Sequence, residues 1–324
     1  MPHPPPDKVS TIAVVGAGTI GASWAAWFLA RGADVAVTDP APERGGFTRD
    51  YVTRAWPALR AIGATREGED AEEAMARLAF TPRLEEALDG ADVVQENALE
   101  RLELKHDLLG RIDAALPADR PIASSTSGFT ASELQRHMAY PGRLVIGHPF
   151  NPPHLIPLVE VVGGSATDAE TVDWALAFYR AMGKHPVRLN KEVPAHIANR
   201  LQAVLWREAV HLAAEGVASV EDIDAAIAYG PGLRWALMGP HLTFHLAGGE
   251  GGMAHFLEHL GPPIEGWWAT MGTPRLTPAV KEVLTRGIAE EIGGRSYDDI
   301  VEARDHRLVA LLAVLGLGRG ETGS

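Results

Sequence analysis

The chain has 324 residues, 46% hydrophobic and 22% charged, with a net charge of −13 and no cysteine. That length supplies about two domains with ample core. The acidic balance argues against nucleic acid or an anionic membrane surface as a partner, and the missing cysteines exclude disulfides and thiolate metal sites. No apolar run approaches the ~18 residues of a membrane span, and MPHPPPDK at the start has no apolar signal core. The expectation is a cytoplasmic soluble enzyme with no metal site, whose ends, MPHPPPDK and GRGETGS, are disordered or frayed.

Residues 11–16, TIAVVG, read as a β-branched strand running into Gly16-Ala17-Gly18-Thr19-Ile20-Gly21, the spacing G-x-G-x-x-G. An apolar helix follows over 22–30 and stops at Arg31-Gly32. A second strand, Asp34 to Asp39, ends in an acid. In such a βαβ unit the first glycine makes the tight turn, the second lets backbone approach a pyrophosphate, and the third lets helix pack on strand. The helix N-terminus then faces the phosphates. Asp39 would accept hydrogen bonds from the adenosine ribose and repel a 2′-phosphate. Pro40-Ala41-Pro42 brings no Arg directly behind it, so NAD is favoured over NADP.

Residues 43–78 read as one or two helices and 84–88 as a helix end. Ala91–Gln95 reads as a strand, and 101–116 as an amphipathic helix containing Lys105. Pro121–Ser125 is another strand. It ends in Thr126-Ser127-Gly128, at the carboxyl end where ligands gather in a doubly wound sheet. On spacing alone these hydroxyls are as well explained as turn residues. Thr130-Ala131-Ser132-Glu133 fits a capping box.

The stretch 145–164, VIGHPFNPPHLIPLVEVVGG, reads as strand, polar turn, strand, with His148 and Glu160 at strand ends. Facing one another across adjacent strands, they would make a general base and its orienting partner. Asn151 offers an amide in the same loop. The plainer alternative is a proline-stiffened turn with Glu160 on a solvated face.

Thr167–Met182 is helical and Pro186–Leu189 is a last strand, after which the alternation ends. Pro194 reads as the first position of a helix over 195–215. Another helix runs over 218–229 with Ser219 as N-cap, Gly230-Pro231-Gly232 breaks it, and helical patterns recur to about Leu315. The expected fold class is α/β: a Rossmann-type, doubly wound, mostly parallel sheet over 1–190, then an all-helical C-terminal domain over 191–324 that carries the substrate lid or dimer interface.

From GAGTIG through SSTSG, HPFNP, LVEVV, GKHPV and NR, the chain resembles the L-3-hydroxyacyl-CoA dehydrogenase superfamily over nearly its whole length. The resemblance implies NAD as cofactor, a 3-hydroxy acid as small-molecule substrate, and a homodimer. It implies His148 as catalytic base, Glu160 as its orienting acid, Ser127 on the substrate hydroxyl and nicotinamide, and Asn151 and Asn199 as amides lining the site. Glu100 and Lys105 match positions near the nicotinamide ribose, beside the Gly16, Gly18, Thr19, Ile20 and Gly21 turn and Asp39.

The run YGPGLRWALMGP over 229–240 and WREA over 206–209 look more like members acting on small free 3-hydroxy acids than like the acyl-CoA enzymes. A free carboxylate calls for a fixed cation, for which Arg234 is suited. Its plain alternative is a surface cap. A quaternary ammonium, where a substrate carries one, calls for aromatic faces; Trp206, Trp235 and Phe244 are candidates, as are Tyr229, Trp267 and Trp268, though each alone is as readily a core or interface residue. Alternatives in the same frame are L-gulonate, 3-hydroxybutyrate or a 3-hydroxyacyl-CoA as substrate, and a crystallin-like, non-catalytic NAD-binding protein.

Overall fold

The computed structural model describes residues 3–317. Among the described residues eight strands form one sheet: β1 (Thr11–Val15), β2 (Asp34–Thr38), β3 (Leu78–Thr81), β4 (Val93–Glu96), β5 (Ile122–Ser124), β6 (Leu144–Pro149), β7 (Leu158–Gly163) and β8 (His185–Arg188). Their spatial order is β3-β2-β1-β4-β5-β6-β7-β8. β7 runs antiparallel to β6, and every other neighbouring pair is parallel. The chain winds outward from β1 to β3 and then returns to β4 on the other side, so the order reverses between β1 and β4. Ligands bind at such a switch point, outside the carboxyl ends of the strands.

Helices α1 (Thr19–Ala30), α2 (Arg44–Ala61), α3 (Ala71–Met75), α4 (Leu84–Leu88), α5 (Leu102–Ala115), α6 (Ala131–Leu134) and α7 (Ala169–Ala181) cover both faces of the sheet. The alternation of side chains along β1 makes two cores. Ile12 and Val14 pack with Trp24 and Phe28 of α1 and Phe178 and Tyr179 of α7. Ala13 and Val15 pack with Leu109 and Ile112 of α5. Both faces are buried, which is why these strands read as continuous apolar runs.

Three local expectations are corrected. Leu78–Thr81 forms the edge strand β3, where the helical reading ends at about Leu78 and leaves 79–83 unassigned; Leu-Ala-Phe-Thr is too short to display its alternation beside a helical run. The described part of the N-terminal segment is tied down rather than disordered. His3 reaches the Asp119 carbonyl and Thr171 Oγ1, both at 2.8 Å, and Trp174 Nε1 donates to the Pro4 carbonyl. GRGETGS lies outside the described residues. The helix expected from Ala195 begins at Ala198, because Ala195 and His196 adopt φ of 64° and 53°. Those left-handed values cannot continue a right-handed helix.

The remaining elements are helical: α8 (Ala198–Ala214), α9 (Val220–Ala228), α10 (Pro231–Trp235), α11 (Pro240–Ala247), α12 (Gly252–Trp268), α13 (Pro278–Ile292) and α14 (Tyr297–Val314). Ser219 caps α9 by accepting from Asp222 N at 3.0 Å, and Thr130 closes a capping box with Glu133 at α6. The chain divides into a unit ending at Asn199, which the chain rejoins at Glu302, and a unit Arg200–Val301. The division falls beyond Lys191, and α14 returns to the first unit because Leu308, Val309 and Leu312 join the core around α1 and α7. Among the described residues, no helix is long and apolar enough to cross a membrane.

Candidate active site

The glycine turn after β1 shows a separate constraint at each glycine. Gly16 has φ +93°, and a Cβ there would lie 2.8 Å from the Asn97 carbonyl group. At Gly21 a Cβ would fall 1.8 Å from the Gly16 carbonyl oxygen, so helix and turn close on one another only without a side chain. A Cβ on Gly18 would meet nothing within 4 Å. Gly18 is also the N-cap of α1 and supplies no side-chain cap, so the helix opens toward clear space with its first N–H groups unclaimed by a cap. Exposed Thr19 and half-buried Ile20 open that helix. This is a cradle that fits a dinucleotide pyrophosphate.

Asp39 follows β2. Its Oδ2 accepts from Ala17 N at 2.9 Å and its Oδ1 from Ala41 N at 3.1 Å, so the acid braces the glycine turn. Gly16, Gly18 and Asp39 line one cavity together with Asn97, Ala98 and Leu104. Arg44 lines it too, beyond the reach of the Pro40–Pro42 reading, with its guanidinium over the Phe47 ring.

On the other side of the switch point, β6 and β7 are in register with His148 directly opposite Glu160. His148 Nδ1 donates to Glu160 Oε2 at 2.9 Å. Both side chains are almost wholly buried. The second oxygen, Oε1, accepts from Ile197 N at 2.8 Å and Ala198 N at 3.0 Å. Burial alone would raise the Glu160 pKa. The His148 hydrogen bond and the two amides outweigh it and hold the carboxylate below its ordinary range. With Nδ1–H committed to a carboxylate, Nε2 carries the lone pair, the arrangement a general base requires. Gly147 is needed just before the histidine: a Cβ there would lie 2.0 Å from the Tyr179 hydroxyl, which donates to Gln95.

The turn after β5 is held by acids rather than left loose. Glu100 Oε1 accepts from Thr126 Oγ1 at 2.5 Å, Ser127 N at 3.1 Å and Gly128 N at 2.8 Å, which leaves the Ser127 side chain exposed at the carboxyl edge. Lys105 is fully buried. Its Nζ donates to both oxygens of Glu96, at 2.8 and 3.0 Å, and to the Ala98 carbonyl, and stands 3.7 Å from Glu100 Oε2. The amine therefore sits behind the Glu100 turn as its counter-charge. Asn151 is exposed on the loop after β6, and Asn199 is half-buried in the first turn of α8.

Three buried residues near this edge are given no role by the sequence reading. Lys184, after α7, donates to the carbonyls of Pro153 and Ile156 and stands 3.7 Å over the Trp27 ring. Burial, with Arg31 nearby, pushes its pKa far down. His154 is held from α1: its backbone N donates to Ser23 Oγ at 2.9 Å, and Ser23 in turn reaches His154 Nδ1 at 2.8 Å. Burial, with the Lys184 and Arg304 charges nearby, lowers the His154 pKa to about 3. The loop bearing Asn151 is thus fastened to the dinucleotide helix. His196, hidden inside the expected helix, packs its ring on His148.

Trp206, Arg234, Trp235 and Phe244 belong to the second unit. Trp206 lies on α8 and is 54% exposed; Arg234 and Trp235 are exposed on the short α10. Arg234 makes no ion pair among the described residues. Phe244 of α11 stacks on Phe256 of α12 at 4.8 Å.

A dinucleotide cradle on a Rossmann sheet, with a buried histidine–carboxylate pair at the same carboxyl edge, defines an NAD-dependent dehydrogenase acting on a CH–OH group. The chain belongs to the 3-hydroxyacyl-CoA dehydrogenase family: residues 11–193 match the family's NAD-binding domain and 196–275 its C-terminal domain. It is 52% identical over 311 residues to an L-carnitine dehydrogenase of Streptomyces griseus, covering 96% of this chain and 91% of that one. It is 45% identical over 308 residues to an L-carnitine dehydrogenase of Pseudomonas aeruginosa, covering 95% and 94%. The crystal structure of 5-formyl-3-hydroxy-2-methylpyridine 4-carboxylic acid 5-dehydrogenase, described as an NAD+-dependent dismutase, superposes with a TM-score of 0.81 at 30% identity, covering 95% of this chain and 98% of that one.

Proposed function

We propose that this chain oxidises the 3-hydroxyl of L-carnitine to 3-dehydrocarnitine. The observation that carries the chemistry is the His148–Glu160 pair, 2.9 Å apart and buried at the carboxyl end of β6. The substrate assignment is supported by relatives of about half identity that bear that activity in their names. His148 Nε2 takes the hydroxyl proton. Glu160 fixes the tautomer through Nδ1 and offsets the imidazolium charge, while Ile197 N and Ala198 N keep its second oxygen satisfied. When bound, NAD supplies the hydride acceptor. Gly18 and the α1 N-terminus would hold its pyrophosphate, Asp39 its adenosine ribose, and Glu100 and Asn151 would border the nicotinamide end, with buried Lys105 behind Glu100 and Ser127 facing the substrate hydroxyl. Asn199 lines the same site.

In the second unit, exposed Arg234 is a cation suited to a carboxylate, and Trp206, Trp235 and Phe244 are aromatic faces of the kind a trimethylammonium group, with no proton to donate, calls for. The exposed apolar side chains Leu233, Leu237, Leu242, Trp267 and Trp268 of this unit suit burial by a second copy, giving a homodimer, and the chain acts in the cytoplasm.

The deciding assay follows NADH formation with L-carnitine, D-carnitine, L-gulonate and 3-hydroxybutyryl-CoA in parallel. Turnover on L-carnitine, at least about a hundredfold above the other three in kcat/KM, supports the reading. Preference for gulonate or the thioester overturns the substrate, and NADH binding without turnover on any of them overturns the enzymatic role.

A further inference from the structure

His196 joins three parts of the site that the sequence keeps far apart. It is 1% exposed and follows Ala195 in a left-handed bend, with φ of 64° and 53° at the two residues. For residues with a Cβ that conformation is unfavourable, and it persists only where the surroundings hold it. The bend turns Ile197 N and Ala198 N onto Glu160 Oε1. It also lays the His196 ring against His148, centroids 4.9 Å apart and planes at 42°. His196 Nε2 lies 3.0 Å from the Thr126 carbonyl, one residue before Ser127.

The hydrogen-bonding logic fixes the protonation of this ring. A carbonyl only accepts, so Nε2 carries the proton. Nδ1 is buried with no partner among the described residues, and in the neutral ring it is a lone pair. Protonating it would bury an unmatched N–H and set a second cation beside the base. Burial lowers the His196 pKa against the opposing pull of the Thr126 hydrogen bond, and the charge of His148 lowers it further, with the acids Glu160 on β7 and Glu100 after β4 acting the other way. His196 therefore stays neutral while its neighbour gains and loses a proton.

Resting on the assignment of His148 as base, we propose that His196 is a positioning residue of the hydride-transfer site. Its Nε2–H ties the turn presenting Ser127 to the bend that clamps Glu160, and its ring walls the His148 imidazole. A residue that only filled space would need neither the N–H nor the strained bend. Displacing a reacting group by about 1 Å can lose about a hundredfold in rate, so the tie acts on kcat rather than on binding.

Two substitutions separate the tie from the wall. His196→Phe keeps a ring of similar size and removes the N–H; His196→Gln places an amide N–H near the position of Nε2. Both are compared with the wild-type protein for kcat and KM on the oxidised 3-hydroxy acid, for NADH Kd by fluorescence, and for thermal midpoint. His196→Phe is expected to lose roughly ten- to a hundredfold in kcat, with KM and NADH Kd within about threefold, and His196→Gln to regain most of that loss. Nitrogen-15 spectra of the wild-type imidazoles should show the Nε2-protonated tautomer at His196, a readout independent of turnover. Full kcat in His196→Phe overturns the proposal. So does equal impairment of both variants with a matching fall in midpoint and NADH affinity, or an Nδ1-protonated His196. His148→Gln is run alongside: if it keeps its turnover, the base assignment has failed and the proposal falls with it, whereas its inactivity leaves any negative result to be charged to His196 alone.

Discussion

The segment His148-Pro-Phe-Asn-Pro-Pro-His154 carries two buried histidines with opposite surroundings. His148 has a carboxylate on Nδ1 and no hydrogen bond at Nε2 among the described residues; a charge gained on protonation would be met by Glu160. His154 has a serine hydroxyl on Nδ1, and burial first, then the nearby Lys184 and Arg304 side chains, lowers its pKa to about 3. The same side chain, at the same depth, is set against a carboxylate at one end of the loop, as the proposed base requires, and is a neutral peg at the other. What differs is the partner: at His148 a carboxylate on Nδ1 can offset the cost of burying an imidazolium, while at His154 burial and then the neighbouring Lys184 and Arg304 side chains all act against the charged form.

The largest expected effect breaks the first half of that contrast. His148→Gln keeps a polar group of similar reach but no base, so kcat should fall by about 10⁴, the upper end of the range for general acid–base catalysis. NADH binding should stay within about twofold of wild type, since the cradle of Gly16–Gly21 and Asp39 does not involve this side chain. Turnover near wild type would show that the proton leaves by another route.

Glu160→Gln comes next. The amide can still accept from Ile197 N or Ala198 N, so the bend is kept, but the negative charge opposite the imidazolium is gone. A loss of roughly 10²–10³ in kcat is expected, with KM little changed and a smaller penalty than for the missing base. A KM effect larger than the kcat effect would place Glu160 in binding rather than in support of His148.

Much of this site was open to reading from sequence, and the exceptions have physical reasons. Two apolar runs around a polar, proline-rich turn carry β6 and β7, and the antiparallel register sets His148 opposite Glu160. The glycine spacing carries the dinucleotide turn because each glycine there answers a local steric demand. His196 was hidden because a left-handed bend normally announces itself by Gly or Asn, and here it is made by Ala and His under tertiary constraint. Lys184 was hidden for a different reason: a lysine after a helix reads as a solvated cap, and only the fold reveals two indoles and two carbonyls around it. Edge strand β3 and the anchored N-terminal residues were likewise set by partners far along the chain.

The smallest expected effect on activity, and the sharpest on stability, is at His154. In the unfolded chain this histidine takes a proton near its ordinary value of 6.5, whereas in the folded chain it refuses one until about 3. Between those values the unfolded state binds more protons, so stability is whole above about pH 6.5 and is lost as pH falls through the window, by about 2 kcal/mol at pH 5. His154→Asn keeps an acceptor near Ser23 but cannot be protonated. The variant should begin less stable at pH 8, from the packing it gives up, and then approach the wild type as the pH is lowered, with the gap in urea-unfolding free energy narrowing by about that amount at pH 5. Its kcat at pH 8 should stay within about fivefold of wild type, because the ring serves the loop and not the proton transfer. A gap that holds constant from pH 8 to pH 5 would mean that His154 is protonated in the native protein as readily as in the unfolded chain, and the contrast between the two ends of the loop would no longer stand on charge.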